Sequence, residues 1–407
     1  MHKKALVLAI GAALAMQGAL AQKKPSGGGS EDDSQVVLYG KVYPEFVFPS
    51  GSGATAAGTA VCSFCLPATG ENAIEKRTEM ESSNSRFGIR GYEKLGRGLK
   101  AIYQLETQFL VDSNNTAFAA RDSFVGLQSG WGTVKLGRMD TPFKEYGDDL
   151  SFLNVSSGNF TSTSGLYRHI GFGTQNNAAR FHERRVNVVQ YESPDFGPVD
   201  FKIQWSTNEA KTDTRDPRVL SMGGKYELGP VAFMVGYEIH YDLFGMSANV
   251  PTALRNNGAT SGVNSKDEAL AGAVQWKIGK MTFEFDANKK KYDEPNSVVG
   301  KARSYENNAY MFIWDWRVAD RWRVAAHYVK AQAGKCQIVG RECSTSGLDG
   351  SQTSAGFAYH FSRKTYLFVM GSWVKNGTSS IYNNSNAQAP NPGEDIRQVG
   401  IGLHTTF

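Results

Sequence analysis

The sequence predicts an all-β chain, a sixteen-stranded antiparallel transmembrane β-barrel. Three observations predict it. The chain ends on an alternating apolar strand. It begins with an export leader. Between them, alternating segments are joined by connections that are short and long by turns.

In the last ten residues, Val399, Ile401, Leu403 and Phe407 fall on one parity. Gln398, Gly400, Gly402, His404 and Thr406 fall on the other, so Thr405 is the one polar residue on the apolar face. This is a period-2 strand. The end residues of a soluble domain usually fray, and an unpaired apolar strand invites aggregation. A strand that closes a membrane barrel has both edges paired and its apolar face in lipid. The closing partner expected for it is 36–48.

The other end reads as an address. Met1-His2-Lys3-Lys4 is basic, Ala5 to Ala15 is apolar, and Ala19-Leu20-Ala21 is a small-residue cleavage site. The apolar run is too short for a membrane anchor, which takes about 20 residues. The expected organisation is a signal peptide (1–21), a disordered lead-in (22–34) and a barrel (35–407). The lead-in reading rests on Ser26-Gly27-Gly28-Gly29-Ser30 followed by Glu31-Asp32-Asp33.

Alternation then recurs along the chain. Val36, Leu38, Val42 and Phe46 oppose Lys41, Tyr43 and Glu45; Phe87 and Ile89 oppose Arg86 and Arg90; Leu99, Ala101, Tyr103 and Leu105 oppose Lys100, Gln104 and Glu106. Similar segments follow at 201–206, 231–242, 281–286, 310–316, 322–328 and 354–361. Seven short turns lie at 95–98, 130–132, 196–198, 228–230, 278–280, 319–321 and 362–364. Eight long connections lie near 49–84, 111–119, 144–180, 207–217, 244–265, 294–305, 333–350 and 377–394. Sixteen strands follow, with the short-turn and long-loop ends of a bacterial outer-membrane barrel. Tyr43, Phe109, Trp205, Trp314, Trp316 and Trp322 read as interfacial aromatics.

Aromatics make up 12 % of the chain and glycine 44 residues, which fits either a barrel or a large secreted sandwich. The faces opposite the apolar ones decide. They carry Lys, Arg, Glu, Asp, His and Gln, which a dry core would hold only at high cost, so the apolar faces meet lipid. The formal net charge of +5, reduced by losing Lys3 and Lys4 with the leader, argues against a nucleic-acid partner. Cys62-x-x-Cys65 and Cys336-x6-Cys343 sit in small-residue loops, and export favours disulfides within each pair. Spacing alone leaves a cross-pairing open. The Cys62–Cys65 spacing lacks the strand-then-helix context of a redox motif, and no metal site or cofactor is expected.

Six segments stand out in order along the chain: Val37-Leu38-Tyr39-Gly40-Lys41, Ser85-Arg86-Phe87-Gly88-Ile89-Arg90-Gly91, Arg121-Asp122-Ser123-Phe124-Val125-Gly126-Leu127, Gly132-Thr133-Val134-Lys135-Leu136-Gly137-Arg138, Arg184 to Pro194 with its Gln190-Tyr191-Glu192-Ser193-Pro194, and the terminal strand. In these the chain resembles the general diffusion porins of Gram-negative bacteria, in particular their β-proteobacterial branch. Two departures touch assembly rather than the pore: the absence of Arg before the final aromatic, and the acidic, Gly-rich lead-in. The resemblance implies a homotrimer in the outer membrane, among lipid and lipopolysaccharide. It also implies a third long loop folded into the lumen. Small hydrophilic solutes and ions would pass without chemistry, sorted by diameter and by charge.

The resemblance also implies the constriction. Its basic wall would be Lys41, Arg86, Arg121 and Arg184, and Arg90 joins them because it shares the face of Arg86. Its acidic side would be Glu145, Asp148 and Asp149 on the third loop. Alternation alone turns Lys41 and Arg86 inward, yet gives Arg121 the outward parity of Val125 and Leu127. The basic inward ladder points to an anion preference, and Glu192, standing where some of these porins have arginine, weakens it. Two other readings stand beside this one. A substrate-specific channel or loop-mediated adhesin on the same barrel is motivated by the long 49–84 loop. An outer-membrane enzyme is disfavoured, since no G-x-S-x-G or H-E-x-x-H stretch occurs.

Overall fold

In the computed structural model the described residues are 34–407, apart from 60, 83, 114–117, 148–149, 151, 155–158, 208, 257–261 and 385–387. The expected leader (1–21) and nearly all of the expected lead-in lie outside the described residues, and Ser34 already opens a strand. The strands are β1 (Ser34–Val42), β2 (Glu45–Ser52), β3 (Glu79–Glu81), β4 (Arg86–Gly96), β5 (Leu99–Gln108), β6 (Ser123–Ser129), β7 (Gly132–Asp140), β8 (Arg184–Glu192), β9 (Val199–Thr207) and β10 (Arg218–Leu228). They continue as β11 (Val231–Tyr241), β12 (Lys266–Ile278), β13 (Met281–Asp293), β14 (Ala302–Trp316), β15 (Trp322–Ala331), β16 (Lys335–Ile338), β17 (Gly350–His360), β18 (Thr365–Asn376) and β19 (Asp395–Thr406).

Three staves of the barrel are each built from two of these segments. β1 and β2 form one stave, broken where Pro44 has no N–H to give the ladder. The neighbouring Tyr43 N–H donates instead to Ser85 Oγ at 2.9 Å. β3 and β4 form the next stave, and β16 prolongs β15 along β14. The result is a closed barrel of sixteen antiparallel staves, as the turn pattern predicts. Closure satisfies every edge, which a lipid-facing sheet requires, because each unpaired backbone group there costs several kcal/mol.

Closure lies a few residues further along than expected. β19 pairs with 45–52 of β2 and with Lys41 and Val42 of β1, and Phe407 exchanges backbone hydrogen bonds with Gly40. Residues 34–39 run on beyond the end of the chain's last strand. One register runs through Pro44, with Lys41 opposite Thr406 on one side and Glu45 opposite Gly402 on the other, and Lys41, Tyr43 and Glu45 share the inner face as alternation assigns.

The outward faces are those read from the sequence. Val399, Ile401 and Leu403 are exposed on one face of β19, while Gln398, Gly400 and Gly402 are buried on the other. Trp322 packs edge-on to Tyr359 and beside Phe357 near the short turns, an aromatic belt on the outer surface. Tyr43 corrects the belt assignment. It is fully buried on the inner side against Phe368 and His404. Both expected disulfides are formed within their own loops, Cys62–Cys65 and Cys336–Cys343.

Candidate functional site

The lumen is organised by the long connection 141–183. Thr141 caps its first helix, Pro142–Tyr146, by accepting from Lys144 N, and Pro142 supplies a preset φ at the helix start. The helix lies on β10 and β11. Phe143 is fully buried over Gly236, where a side chain would meet the ring at 3.2 Å, and its N–H donates to Ser221 Oγ at 3.0 Å.

From there the connection follows the inner wall. Leu150 N donates to Glu284 Oε1 on β13 at 3.2 Å. Phe152 meets His327 of β15 edge-on at 4.9 Å, and Leu153 rests on Gly356 of β17. Asn159 donates to both carboxylate oxygens of Glu45 on β2, at 3.1 and 2.9 Å. The chain then returns. Tyr167 O accepts from Asn288 and from Lys290 Nζ, and Phe181 stacks on His240 at 4.4 Å. The loop thus folds inward, and it covers the arc from β10 round to β19 and β2.

Under the loop the wall is a packed core. Ala269, Ala271 and Ala273 of β12, Ala309, Met311 and Ile313 of β14, and Val329 of β15 all face inward and are buried. His169 and His182 of the loop are buried with them. Burial, then Arg180, holds the His169 imidazole down at about 3, and burial, then Lys144, holds His182 well below its ordinary value.

Among the described residues the loop does not cover the arc from β1 through β4 to β8, and here the ion pairs lie at the open inner face. Glu106 of β5 is the hub. Arg121 Nε donates to its Oε1 at 2.6 Å, Arg86 Nε lies 3.5 Å from its Oε2, and the Tyr39 hydroxyl donates to Oε2 at 3.1 Å. Lys41 lies within electrostatic reach of Arg86, Arg121 and Glu106, its Nζ 5.0 Å above the Tyr43 ring. Arg121 also donates to Asn84 Oδ1 at 2.9 Å. So Lys41, Arg86 and Arg121 come together, and Arg121 points inward against its parity. It precedes β6, and Ala119 just before it has φ 51°, so strand alternation does not extend to it.

Beside this hub is a second one. Arg184 is ion-paired with Asp122 and reaches Asp140 Oδ1 at 2.9 Å, and Lys144 of the loop helix reaches the same oxygen at 3.0 Å. Arg138 lies among Arg184, Asp122 and Asp140. Burial, then the nearby Asp140, pushes the Asp122 carboxyl up despite Arg184.

Two expected groups stand apart from the Glu106 hub. Arg90 stacks over the Tyr39 ring at 4.9 Å, four residues beyond Arg86 toward the short-turn end. Glu145 is ion-paired with Lys202 of β9, which also lies 3.6 Å from Glu192. Burial raises the Glu145 carboxyl, and Lys202 opposes the shift. Asp148 and Asp149 lie outside the described residues. Glu106, Asp122 and Asp140 were not singled out from sequence. For Glu106 the signal was present, since it is an inward position on the strand paired with β4.

At the long-loop end the two bridged loops meet each other and the inward loop. Phe64, between Cys62 and Cys65, packs against Phe172 of the inward loop at 5.4 Å. Ser63 N donates to Ser344 O, and Ser344 N donates to Ser63 Oγ, both at 2.9 Å. The two disulfide loops therefore touch.

A family profile described as Gram-negative porin matches residues 5–379. The chain belongs to the Gram-negative porin family. It is 24 % identical to the major outer membrane protein P.IB of Neisseria gonorrhoeae over 75 % of this chain and 81 % of that one. It is 25 % identical to the P.IB protein of a Neisseria meningitidis serogroup B strain over 75 % and 80 %. The fold is also that of the anion-selective porin from Comamonas acidovorans, with a TM-score of 0.67 at 21 % identity over 92 % of this chain and all of that one. This porin is accordingly a passive diffusion channel of the outer membrane, not an enzyme, and porins of this family generally form trimers there.

Proposed function

We propose that this porin passes small hydrophilic solutes and ions with a weak preference for anions, and that the uncovered arc sets the preference. The observation that carries the reading is the hub at Glu106, where one carboxylate faces Lys41, Arg86 and Arg121. A fixed excess of positive charge across a narrow, partly desolvated passage raises the local concentration of anions. Arg184, Arg138 and Lys144 against Asp122 and Asp140 extend the excess. Arg90 belongs to the same wall, nearer the short-turn end. On this reading Asp148 and Asp149 oppose the cations from the inward loop, while Glu145 is largely offset by Lys202. The anion selectivity of the Comamonas acidovorans porin, a fold relative, points the same way.

The working unit on this reading is a homotrimer seated among lipid and lipopolysaccharide. Purified protein in planar bilayers would give ohmic conductance steps in groups of three. The reversal potential in a KCl gradient tests the selectivity, with wild type compared against Arg86→Ala. The variant should lie closer to the ideal unselective value. An unchanged ion preference would remove Arg86 from the constriction, and a cation-selective wild type would sink the anion reading.

A further inference from the structure

A separate cavity of about 440 Å³ opens on the uncovered arc at its short-turn, periplasmic end. Its walls come from β4, β5, β6, β7 and β8 together with the start of β1. The register stacks its groups in two rows. One row runs Tyr92, Ile102, Gly126, Lys135, Gln190 across five neighbouring strands, and the row below it runs Lys94, Lys100, Gln128, Thr133, Glu192. Gly126 makes the hollow: a side chain there would press on Val134 O at 2.5 Å, Lys135 Cγ at 3.2 Å and Ile102 Cγ1 at 3.3 Å.

Three cations line this cavity, and each is laid over an aromatic ring. Arg90 lies over Tyr39 at 4.9 Å, Lys100 over Tyr92 at 5.2 Å and Lys135 over Phe124 at 4.6 Å. The rings fix the cations in place and leave their N–H groups for other partners. Lys135 has one, Glu192 at 2.7 Å. Among the described residues, Arg90 and Lys100 have no carboxylate partner. Counted over the described residues, the cavity thus holds two positive charges beyond what its own carboxylate offsets. It lies about 13 Å along β4 from Arg86, at roughly 3.3 Å per residue, so it is distinct from the Glu106 hub.

We propose that this cavity is an exit-side binding site for a small dianion, a compact molecule with two carboxylates or one phosphate. The inference rests on the anion-preferring reading of the pore and adds a second stop to it. Two uncompensated cations in one hollow match two negative charges, and monoanions engage only half of the site. A solute leaving the constriction would pause there before release, and one arriving from the periplasm would meet the cavity first.

The test is sided block of the chloride current in planar bilayers. Succinate, inorganic phosphate and acetate are each added to the short-turn side of oriented channels at constant ionic strength. Saturable block by succinate or by phosphate, with none by acetate, is expected, and the two active arms tell carboxylate from phosphate. The half-blocking concentration should rise at least about tenfold in Lys100→Gln and in Arg90→Gln, the equivalent of losing one charge contact worth about 1.4 kcal/mol. Lys100→Arg should retain the block. Only variants that still open in steps of three are scored, which separates a lost site from a lost fold. Block that survives both Gln variants, or its absence in a wild-type pore shown to prefer anions, overturns the site and leaves the selectivity reading standing.

Discussion

The inner wall of this porin has two arcs built on the same alternation with opposite chemistry. From β10 round to β2 the inward positions lie beneath the connection 141–183 and are buried. Alanines, methionine and isoleucine alternate there with polar groups such as Glu284, Lys290 and Glu45 that the loop itself engages, with Phe143 over Gly236 as an anchor. From β1 through β4 to β8 the inward positions are ionised and partly wet, gathered on Glu106 and on Asp122 with Asp140. On the proposed reading the covered arc narrows the passage, because the loop is anchored to that wall, and the uncovered arc charges it.

The largest effect should come from breaking the covered arc at its anchor. Phe143 is fully buried between the wall and its own loop, and truncating a buried Phe costs about 3–5 kcal/mol. In Phe143→Ala the trimer should lose thermal stability and the single-channel conductance should rise and become noisy as the loop leaves the wall. A variant with wild-type conductance and wild-type melting would mean that the loop is held elsewhere.

Next in size is the hub of the uncovered arc. Glu106→Gln keeps an acceptor for Tyr39 and Arg121 but removes the one carboxylate that faces three cations. A unit charge at about 4 Å in a watery passage is worth about 1 kcal/mol, so the chloride-to-potassium permeability ratio should rise by up to about fivefold. Reversal potentials in a KCl gradient measure it. A shift toward potassium would show that the three cations do not face the permeating ions.

What could be read in advance differs between the arcs for a physical reason. Outward faces, turns and stave number follow from local alternation, so they were legible from end to end. The inward residues Lys41 and Arg86 were legible for the same reason. The cover was harder. Ala271 and Met311 face inward yet are apolar, so β12 and β14 alternate weakly, and their partners lie more than a hundred residues away in the loop. The resemblance supplied the inward loop, but nothing local told which wall it would lie on. Arg121 departs from its parity where the chain leaves ideal geometry, at Ala119, and the few-residue offset of the closing pair is set by pairing across the seam, which one strand's alternation does not carry. The hub at Glu106 needed the pairing of β4 with β5, which alternation within one strand cannot supply.

Acid separates the arcs more gently and in opposite senses. On the uncovered side Asp122 is pushed up by burial and Asp140, and Glu145 by burial. Both take up protons at a higher pH than an ordinary carboxylate, so negative charge leaves the passage first and anion preference grows as pH falls. On the covered side His169, held near 3, and His182, held well below its usual value, stay neutral while the unfolded chain protonates them near 6.5. A depressed histidine therefore contributes stability that is full above that pH and is lost as pH falls toward the folded value. Reversal potential and trimer melting, both followed from pH 8 to pH 4, should move together, one toward chloride and the other downward. A melting point that holds constant over that range in wild type would show that neither histidine is sealed in the covered core.

The smallest effect should come from the lid. The Cys62–Cys65 bridge spans a separation of 3 residues and Cys336–Cys343 one of 7. Such short loops cost little to close in the unfolded chain, so their contribution to overall stability is small. Their role is local. Phe64 rests on Phe172 of the inward loop, and the two bridged loops are joined through Ser63 and Ser344. Replacing Cys62 and Cys65 together by Ser frees Phe64 without touching the anchor at Phe143 or the hub at Glu106. Mean conductance and reversal potential should stay at wild-type values, while the current at high voltage becomes noisier and closes at a lower threshold. A changed reversal potential would place the lid in the selectivity pathway and tie the two arcs through the mouth of the barrel rather than through the loop helix at Lys144.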